Sequence, residues 1–269
     1  MKSTLSIVWW ELWQRRWFMC WWAIGIALYM VLVISVYPSF KDQAADLNKS
    51  LEQLPDAAKA LFSDTPDFLS PVGYLSSQIY YLVLPLIYSI LTIGLGASLI
   101  AKEEQQHTIE LLLSRPVSRG GLLLGKALAG LAILLIVSIV NLAVTIPTVW
   151  WAGFDGVSTS GVVLVTFVCA VLSLIFGALA FMLSAMGHGA KTISLGVAAL
   201  VALGGYVISS LEATVTWLQW PSKLLPYHYF HPSEILSGNF TTNECIGFVA
   251  AIAVLGVFSW VAFRRRDID

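Results

Sequence analysis

Six apolar stretches, each without Asp, Glu, Lys, Arg or His, constrain this chain more than any other feature. A helix needs roughly 20 residues to cross a hydrocarbon layer of about 30 Å. The stretches cover residues 17–37, 79–101, 127–151, 161–186, 192–211 and 246–263. Only 12% of the residues are charged, against about 25% in soluble domains. We therefore predict an all-α polytopic membrane protein, a single transmembrane domain of six helices over residues 1–269.

The basic residues are divided unevenly between the two sides that six spans define. Eleven Lys and Arg lie on the side of the termini and four on the other, whereas six acids lie with the termini and ten opposite. Because cytoplasmic segments carry the excess of Lys and Arg, we predict a multi-pass protein of the cell (inner or plasma) membrane with both termini in the cytoplasm. A net charge of -1 argues against a nucleic-acid partner.

The segment before the first span, residues 2–16, has the pattern of a helix lying at the membrane interface. Apolar residues recur every three to four positions with charged residues between them, and indole rings prefer the headgroup level. The residues that define this segment are Trp9, Trp10, Glu11, Trp13 and Arg16. A simple aromatic anchor and a mechanical role fit this pattern equally well.

The two long loops on the other side are 38–78 and 212–245. The first has apolar residues at helical spacing before residue 64, interrupted by Pro55, which predicts two short amphipathic helices capping the outer face. The second is rich in Trp, Tyr and Pro, and we expect it to fold back onto the membrane surface.

One segment, residues 120–126, has the spacing of a phosphate-binding loop. However, Ala127 replaces the Ser or Thr that binds magnesium, and the segment leads into an apolar helix without a preceding strand. Gly121, Gly125 and Ala129 lie four apart, so we interpret them as a small-residue face for close helix packing.

Two further groups have some resemblance to catalytic or metal sites. The Glu103-Glu104 pair resembles that of intramembrane proteases, but Thr108 stands where they have Arg, and no His lies within a span. The two histidines in 227–231 could bind a metal or a substrate, although loop histidines among aromatic residues are more often solvated or hydrogen-bonded. We therefore expect no catalytic residue, no metal and no cofactor in this chain.

The spans also lack the ionisable residues that ion-coupled carriers place at mid-membrane. Their interior polar groups are neutral, and we take Asn141, Ser138 and Thr145 as candidate residues of a substrate pathway. A neutral pathway must draw its energy from elsewhere, which points to a partner protein.

The loop between the second and third spans, 102–121, has the pattern of an amphipathic helix that ends at Pro116. Its order of residues is an acid, Thr, a second acid, two leucines and Pro-x-Ser-Arg, with a later Gly-Lys. The residues in these positions are Glu104, Thr108, Glu110, Leu112, Leu113, Pro116, Ser118, Arg119, Gly125 and Lys126. This order resembles that of the ABC-2 type permeases, the membrane subunits of ATP-binding-cassette exporters, although His107 stands where they usually have Gly.

The resemblance implies an elbow helix in residues 2–16 and a coupling helix in 102–121 that docks on the ATPase. The implied coupling residues are Glu103, Glu104, His107, Thr108, Glu110, Leu112, Leu113, Pro116 and Arg119. It also implies a separate ATPase subunit that binds ATP and Mg, and a second copy of this chain or a similar permease.

The apolar, aromatic interior suggests a hydrophobic or amphipathic cargo for such an exporter. The alternative is a non-transporting membrane scaffold or sensor with the same fold. A third class, a membrane-embedded hydrolase, would need an essential acid-base pair and would be active without any ATPase.

Overall fold

A computed structural model describes residues 2–41, 54–65, 67–105, 119–187, 191–239 and 242–265. All regular secondary structure in these ranges is helical. The α-helices are α1 (Lys2–Gln14), α2 (Arg16–Lys41), α3 (Asp56–Phe62), α4 (Pro71–Leu75), α5 (Val83–Gln105), α6 (Arg119–Trp151), α7 (Thr159–Met186), α8 (Lys191–Leu211), α9 (Gln219–Ser222), α10 (Pro232–Leu236) and α11 (Thr242–Arg265). A π-helical turn, Ser76–Tyr80, joins α4 to α5, and 3-10 turns lie at Thr216–Leu218 and Pro226–Tyr229.

In the described part of the chain, six helical segments are long and apolar enough to cross a membrane, which confirms the predicted fold class. They are Arg16–Ser39, Pro71–Ile100, Gly120–Trp151, Thr159–Met186, Lys191–Leu211 and Cys245–Arg264. The second begins earlier than the pattern predicts because the π-helical turn continues α4 into α5. The third also begins earlier, because α6 starts at Arg119 and its charged Lys126 is buried inside the protein. The chain is a multi-pass membrane protein.

Helices α5 and α7 form the centre of the bundle, and their spans are the most buried of the six. They cross where Gly96 meets Gly177: a Cβ on Gly96 would overlap the Gly177 carbonyl oxygen, and one on Gly177 would lie 2.7 Å from the Cβ of Thr92. The Thr92 hydroxyl donates a hydrogen bond to the Ser173 carbonyl at 2.8 Å. Such small residues let two helix backbones approach closely within a membrane.

Helices α2 and α11 lie at the periphery, α2 against α6 and α11 against α7. Many of their apolar side chains are exposed on the surface of the protein. A helix can present such a surface to lipid because its backbone groups are already hydrogen-bonded internally.

The bundle has two different ends. We call the end where α5 finishes and α6 begins the loop end. At the opposite, capped end, the Tyr81 hydroxyl donates to the Ala60 carbonyl at 2.8 Å, and Asp64 accepts hydrogen bonds from the Ser76 hydroxyl and the Ser233 amide. The single helix α3 lies where two short helices are predicted, but residues 42–53 of that segment lie outside the described residues.

The second long loop is predicted to fold back onto the membrane surface, and the structure describes residues 212–239 of it. Tyr227, Phe230, Ile235 and Leu236 are buried, each with less than a tenth of its surface exposed. The Tyr227 ring stacks on Phe176 of α7 with their centroids 5.6 Å apart. This part of the loop therefore packs down onto the helix bundle.

Candidate functional site

Three charged side chains meet inside the loop end. The Lys126 ammonium lies 2.8 Å from one Glu11 carboxylate oxygen, and the Arg15 Nε lies 3.1 Å from the other. The Arg15 guanidinium also donates to the Ser98 hydroxyl at 3.1 Å. The side chains of Glu11 and Lys126 are only 3% and 4% exposed. We call these four residues the ion network.

The ion network joins four parts of the fold. Glu11 lies on α1, Arg15 at the junction of α1 and α2, Ser98 near the end of α5, and Lys126 near the start of α6. It therefore connects the N-terminal helix to both helices that flank residues 106–118.

Helix α1 can lie against α6 because Gly125 has no side chain. A Cβ on Gly125 would lie 3.0 Å from Ile7 Cγ2 and 3.4 Å from the Thr4 carbonyl oxygen. Gly125 and Ala129 are both buried, as the predicted small-residue face requires. This close approach brings Glu11 within hydrogen-bond distance of Lys126.

Burial makes the ion network a stiff connection. Moving a charge out of water costs several kcal/mol, and only well-placed partners offset that cost. Both carboxylate oxygens of Glu11 have a cationic partner. Separating Glu11 from Lys126 would leave a charge in an apolar interior, so this pair opposes the separation of α1 from α6.

The predicted elbow residues divide between two faces of α1. Trp9, Trp10 and Trp13 are 71%, 63% and 59% exposed, whereas Glu11 is buried. The Arg16 guanidinium lies over the Trp13 ring, 4.2 Å from its centroid. Exposed indoles suit the headgroup level of a membrane, and the elbow role of α1 stays a prediction.

Most of the predicted coupling residues lie outside the described part of the chain. Glu103 and Glu104 are in the last turn of α5 and Arg119 is the first residue of α6, but their side chains are not described. The others, His107, Thr108, Glu110, Leu112, Leu113 and Pro116, fall within 106–118 and outside the described residues. Their role in coupling stays a prediction.

The candidate pathway residues form a hydrogen-bonded cluster between α5 and α6. The Asn141 amide donates to the Tyr88 hydroxyl at 3.1 Å, and the Thr145 hydroxyl donates to the Asn141 carbonyl oxygen at 3.2 Å. Asn141, Thr145 and Ser138 are 1%, 0% and 6% exposed. They lie in the interior of the single chain, and a pathway role stays a prediction.

The segment that resembles a phosphate loop is part of a helix. Residues 120–126 belong to α6, Gly125 contacts Ile7, and Lys126 is bound to Glu11. The Gly-Lys pair therefore has a structural role: Gly125 allows close helix packing, and Lys126 forms a buried ion pair.

The histidine-containing loop lies at the capped end, beside a pocket of about 350 Å³. The His228 Nδ1 lies 2.7 Å from a Glu212 carboxylate oxygen, so this histidine is hydrogen-bonded. Burial raises the pKa of the neighbouring Tyr227 phenol above its ordinary value. Among the described residues, no group of three or more His, Cys, Asp or Glu side chains could hold a metal ion.

The sequence reasoning did not identify Lys126 and Arg15 as site residues. The sequence contains a weak signal of an unusual environment for both charged residues. Lys126 directly precedes an apolar stretch, and Glu11 is the sole acid in the first 41 residues. Their pairing could not be deduced, since 115 positions separate them.

Comparison with protein families gives a match over nearly the whole chain. The family described as ABC-2 family transporter protein matches residues 5–268. Comparison with curated proteins gives no match. The family match covers all six spans and every residue of the ion network. The chain therefore belongs to the ABC-2 transporter family, as the permease component of an ABC transporter.

Proposed function

We propose that this permease is one half of an ATP-driven exporter in the cell membrane. It works with a second copy of itself or a similar subunit, and a separate ATPase supplies the energy. The observation that carries this proposal is the buried ion pair between Glu11 and Lys126, which ties α1 to the base of the loop where the family likeness predicts ATPase docking.

The position of the ionisable residues supports an external energy source. Within the six spans the residues of the types Asp, Glu, Lys, Arg and His are Arg16, Lys126, Lys191 and Arg264, each in the first or last third of its span. None lies at mid-membrane, where an ion-coupled carrier places the ligands of its coupling ion. This arrangement is consistent with ATP hydrolysis in a partner protein as the energy source.

The charge distribution supports placing the loop end in the cytoplasm, where an ATPase can reach it. Eleven of the 15 Lys and Arg residues lie on the side of the termini. Such an excess is typical of cytoplasmic segments. Residues 106–118 would then face the cytoplasm together with α1.

In this mechanism the ion network acts as a mechanical link. Nucleotide binding moves the docked loop, and the buried ion network makes α1, α5 and α6 move as one body. Six spans form half of the twelve expected for such a transporter, so the pathway lies between two copies and alternates between two arrangements of rigid helices. A hydrophobic or amphipathic cargo suits the apolar spans.

The test uses the permease co-purified with a candidate ATPase and reconstituted in vesicles. Reversing charge at both Glu104 and Glu110 should abolish docking, so that the two proteins no longer co-purify. E11Q should preserve docking but lower permease-stimulated ATP hydrolysis at least fivefold. The matched control is K59Q, because Lys59 pairs with Asp56 at the surface of the capped end.

Full stimulation in all variants would contradict the coupling mechanism. ATP-dependent flux of fluorescent amphiphiles into inside-out vesicles separates an exporter from a scaffold. Stable association with an ATPase but no flux of any probe would favour the scaffold.

A further inference from the structure

An apolar cavity of about 480 Å³ lies between α5, α6, α7 and α11. Its floor is the close crossing at Gly96 and Gly177, and none of the described residues that line it is charged. Pockets of roughly 300–1,000 Å³ are typical ligand sites. The cavity is separate from the ion network and from the Asn141 cluster, none of whose residues line it.

The cavity opens sideways, between α6 and α11. Its lining includes Leu124, Leu128 and Leu131 of α6 and Val257 of α11, which are 56%, 39%, 37% and 61% exposed. These side chains therefore lie both in the cavity and on the outer surface of the bundle. The opening lies within two membrane spans, so it faces hydrocarbon and not water.

The length of the cavity matches one leaflet. From Gly120 to Leu131, the α6 residues at its two ends, a helix rises by about 16 Å. The full hydrocarbon layer is about 30 Å thick. The cavity therefore starts at the loop end and is about half as long as that layer is thick.

The rim at the loop end carries a cation. Trp260 closes the cavity there, since a Cβ on Gly120 would lie 3.1 Å from its indole nitrogen. The exposed Arg264, one turn further along α11, lies over the Trp260 ring with its guanidinium carbon 4.6 Å from the centroid. Indoles lie at headgroup depth, and a guanidinium is well suited to binding phosphate.

We propose that this crevice binds one acyl chain of an anionic phospholipid from the leaflet at the loop end, with the lipid phosphate at Arg264. The apolar walls exclude water, because a buried water needs polar partners. A narrow apolar crevice with a cation at one end matches the shape and charge of a phospholipid, whose acyl chain is apolar and whose phosphate is anionic. This lipid site goes beyond the proposed function and does not depend on it.

The test is photolabelling of the full chain in nanodiscs that contain phosphatidylglycerol with a diazirine on its acyl chain. Mass spectrometry should find label on Leu95 and Phe181, which line the cavity and are only 2% and 8% exposed. Bulk lipid reaches only the outer faces of the helices. Label confined to outward side chains such as Val254 would overturn the proposal.

Two variants of α11 make a matched pair. A Cβ at Gly256, which lines the cavity, meets no atom within 4 Å, and the same holds at Gly247, which does not line it. G256L should fill the crevice and lower labelling of Phe181 at least fivefold, whereas G247L should leave it unchanged. Equal labelling in both variants would overturn the proposal.

The headgroup contact has its own test. R264Q should remove the preference for the phosphatidylglycerol probe over the corresponding phosphatidylcholine probe, while K191Q, which changes another cation at the loop end, should preserve it. The same preference in R264Q and wild type would overturn the role of Arg264. In a separate experiment the chain carries photo-leucine in place of leucine, and the lipid carries no diazirine. Cross-links from the crevice to a second copy of the chain would then identify a protein occupant and overturn the lipid site.

Discussion

The carboxylate of Glu11 and the ammonium of Lys126 lie 2.8 Å apart, although 115 positions separate these residues in the chain. Both side chains are almost fully buried. This pair fixes the N-terminal helix to the start of the third span and gives the loop end a charged centre inside an apolar bundle.

The first prediction concerns the stability of this pair. Lys126→Met should destabilise the protein by roughly 3 kcal/mol, because removing one partner leaves a buried charge with too little compensation. The double variant E11Q/K126M should recover part of that loss, since it removes both charges. Unfolding in detergent, followed by circular dichroism, measures the difference.

The control for this prediction is the surface pair of Lys59 and Asp56, whose side chains are 28% and 87% exposed. Lys59→Met should cost at most about 1 kcal/mol, as is typical of exposed pairs. If K126M and K59M were equally stable, the buried pair would contribute nothing beyond a surface contact.

The second prediction concerns the crossing of α5 and α7. Gly96→Ala should prevent the native packing, because the added Cβ would overlap the Gly177 carbonyl oxygen, a backbone atom that cannot rotate away. Gly94→Ala is the matched control on the same helix, since its Cβ would meet no atom within 4 Å. Gel filtration should show loss of monodisperse protein for G96A alone. Normal behaviour of G96A would mean that the helices can separate at this point at little cost.

The third prediction concerns the buried amide of Asn141. Tyr88→Phe removes the hydroxyl that accepts the hydrogen bond from its Nδ2. An unsatisfied buried polar group costs about 1–3 kcal/mol, and bonds between membrane helices are worth about 0.6–2 kcal/mol. We therefore expect a loss of about 1 kcal/mol. The comparison variant is S35A, whose hydroxyl bonds only to carbonyls of its own helix, and a larger loss in S35A would contradict the importance of the cluster.

The fourth prediction concerns alkaline pH at the capped end. Burial raises the pKa of Tyr227 in the folded protein, while a tyrosine in the unfolded chain titrates near 10. Above about pH 10 the unfolded state therefore loses a proton that the folded state keeps, so stability falls as the pH rises, by up to about 1.4 kcal/mol per pH unit. Below pH 10 both states are protonated and Tyr227 has no such effect.

The measurement is the midpoint of thermal unfolding at pH 8 and pH 11 for wild type and Y227F. The variant lacks the titrating phenol, so its midpoint should fall less between these two pH values. An identical fall in both proteins would show that Tyr227 does not contribute to alkaline destabilisation.

The number of spans, their order and the class of protein follow from local patterns in the sequence. Hydropathy is a property of each segment taken alone, because every apolar helix of sufficient length is stable in hydrocarbon whatever its neighbours are. The order of residues in 102–126 that resembles the family is likewise a local pattern, and the family match extends over residues 5–268.

The helices of the second and third spans begin before the apolar stretches in the sequence, so local patterns do not give the helix ends. Lys126 reads as a polar end to the third span, yet α6 begins at Arg119 and carries Lys126 in its interior. The lysine is buried there beside Glu11 of another helix. The start at Pro71 of the second span was missed for a related reason: the buried Ser76 and Ser77 of the π-helical turn look like loop residues in the sequence.

Only the tertiary structure decided which residues meet. The pairing of Glu11 with Lys126, the crossing of Gly96 over Gly177 and the cavity at Gly256 each depend on how helices far apart in the chain pack together. The sequence by itself determined that six helices enter the membrane, because burial in lipid is a local property. The partners of each helix depend on steric fit and on charge neutralisation between segments, and neither is visible in any one segment alone.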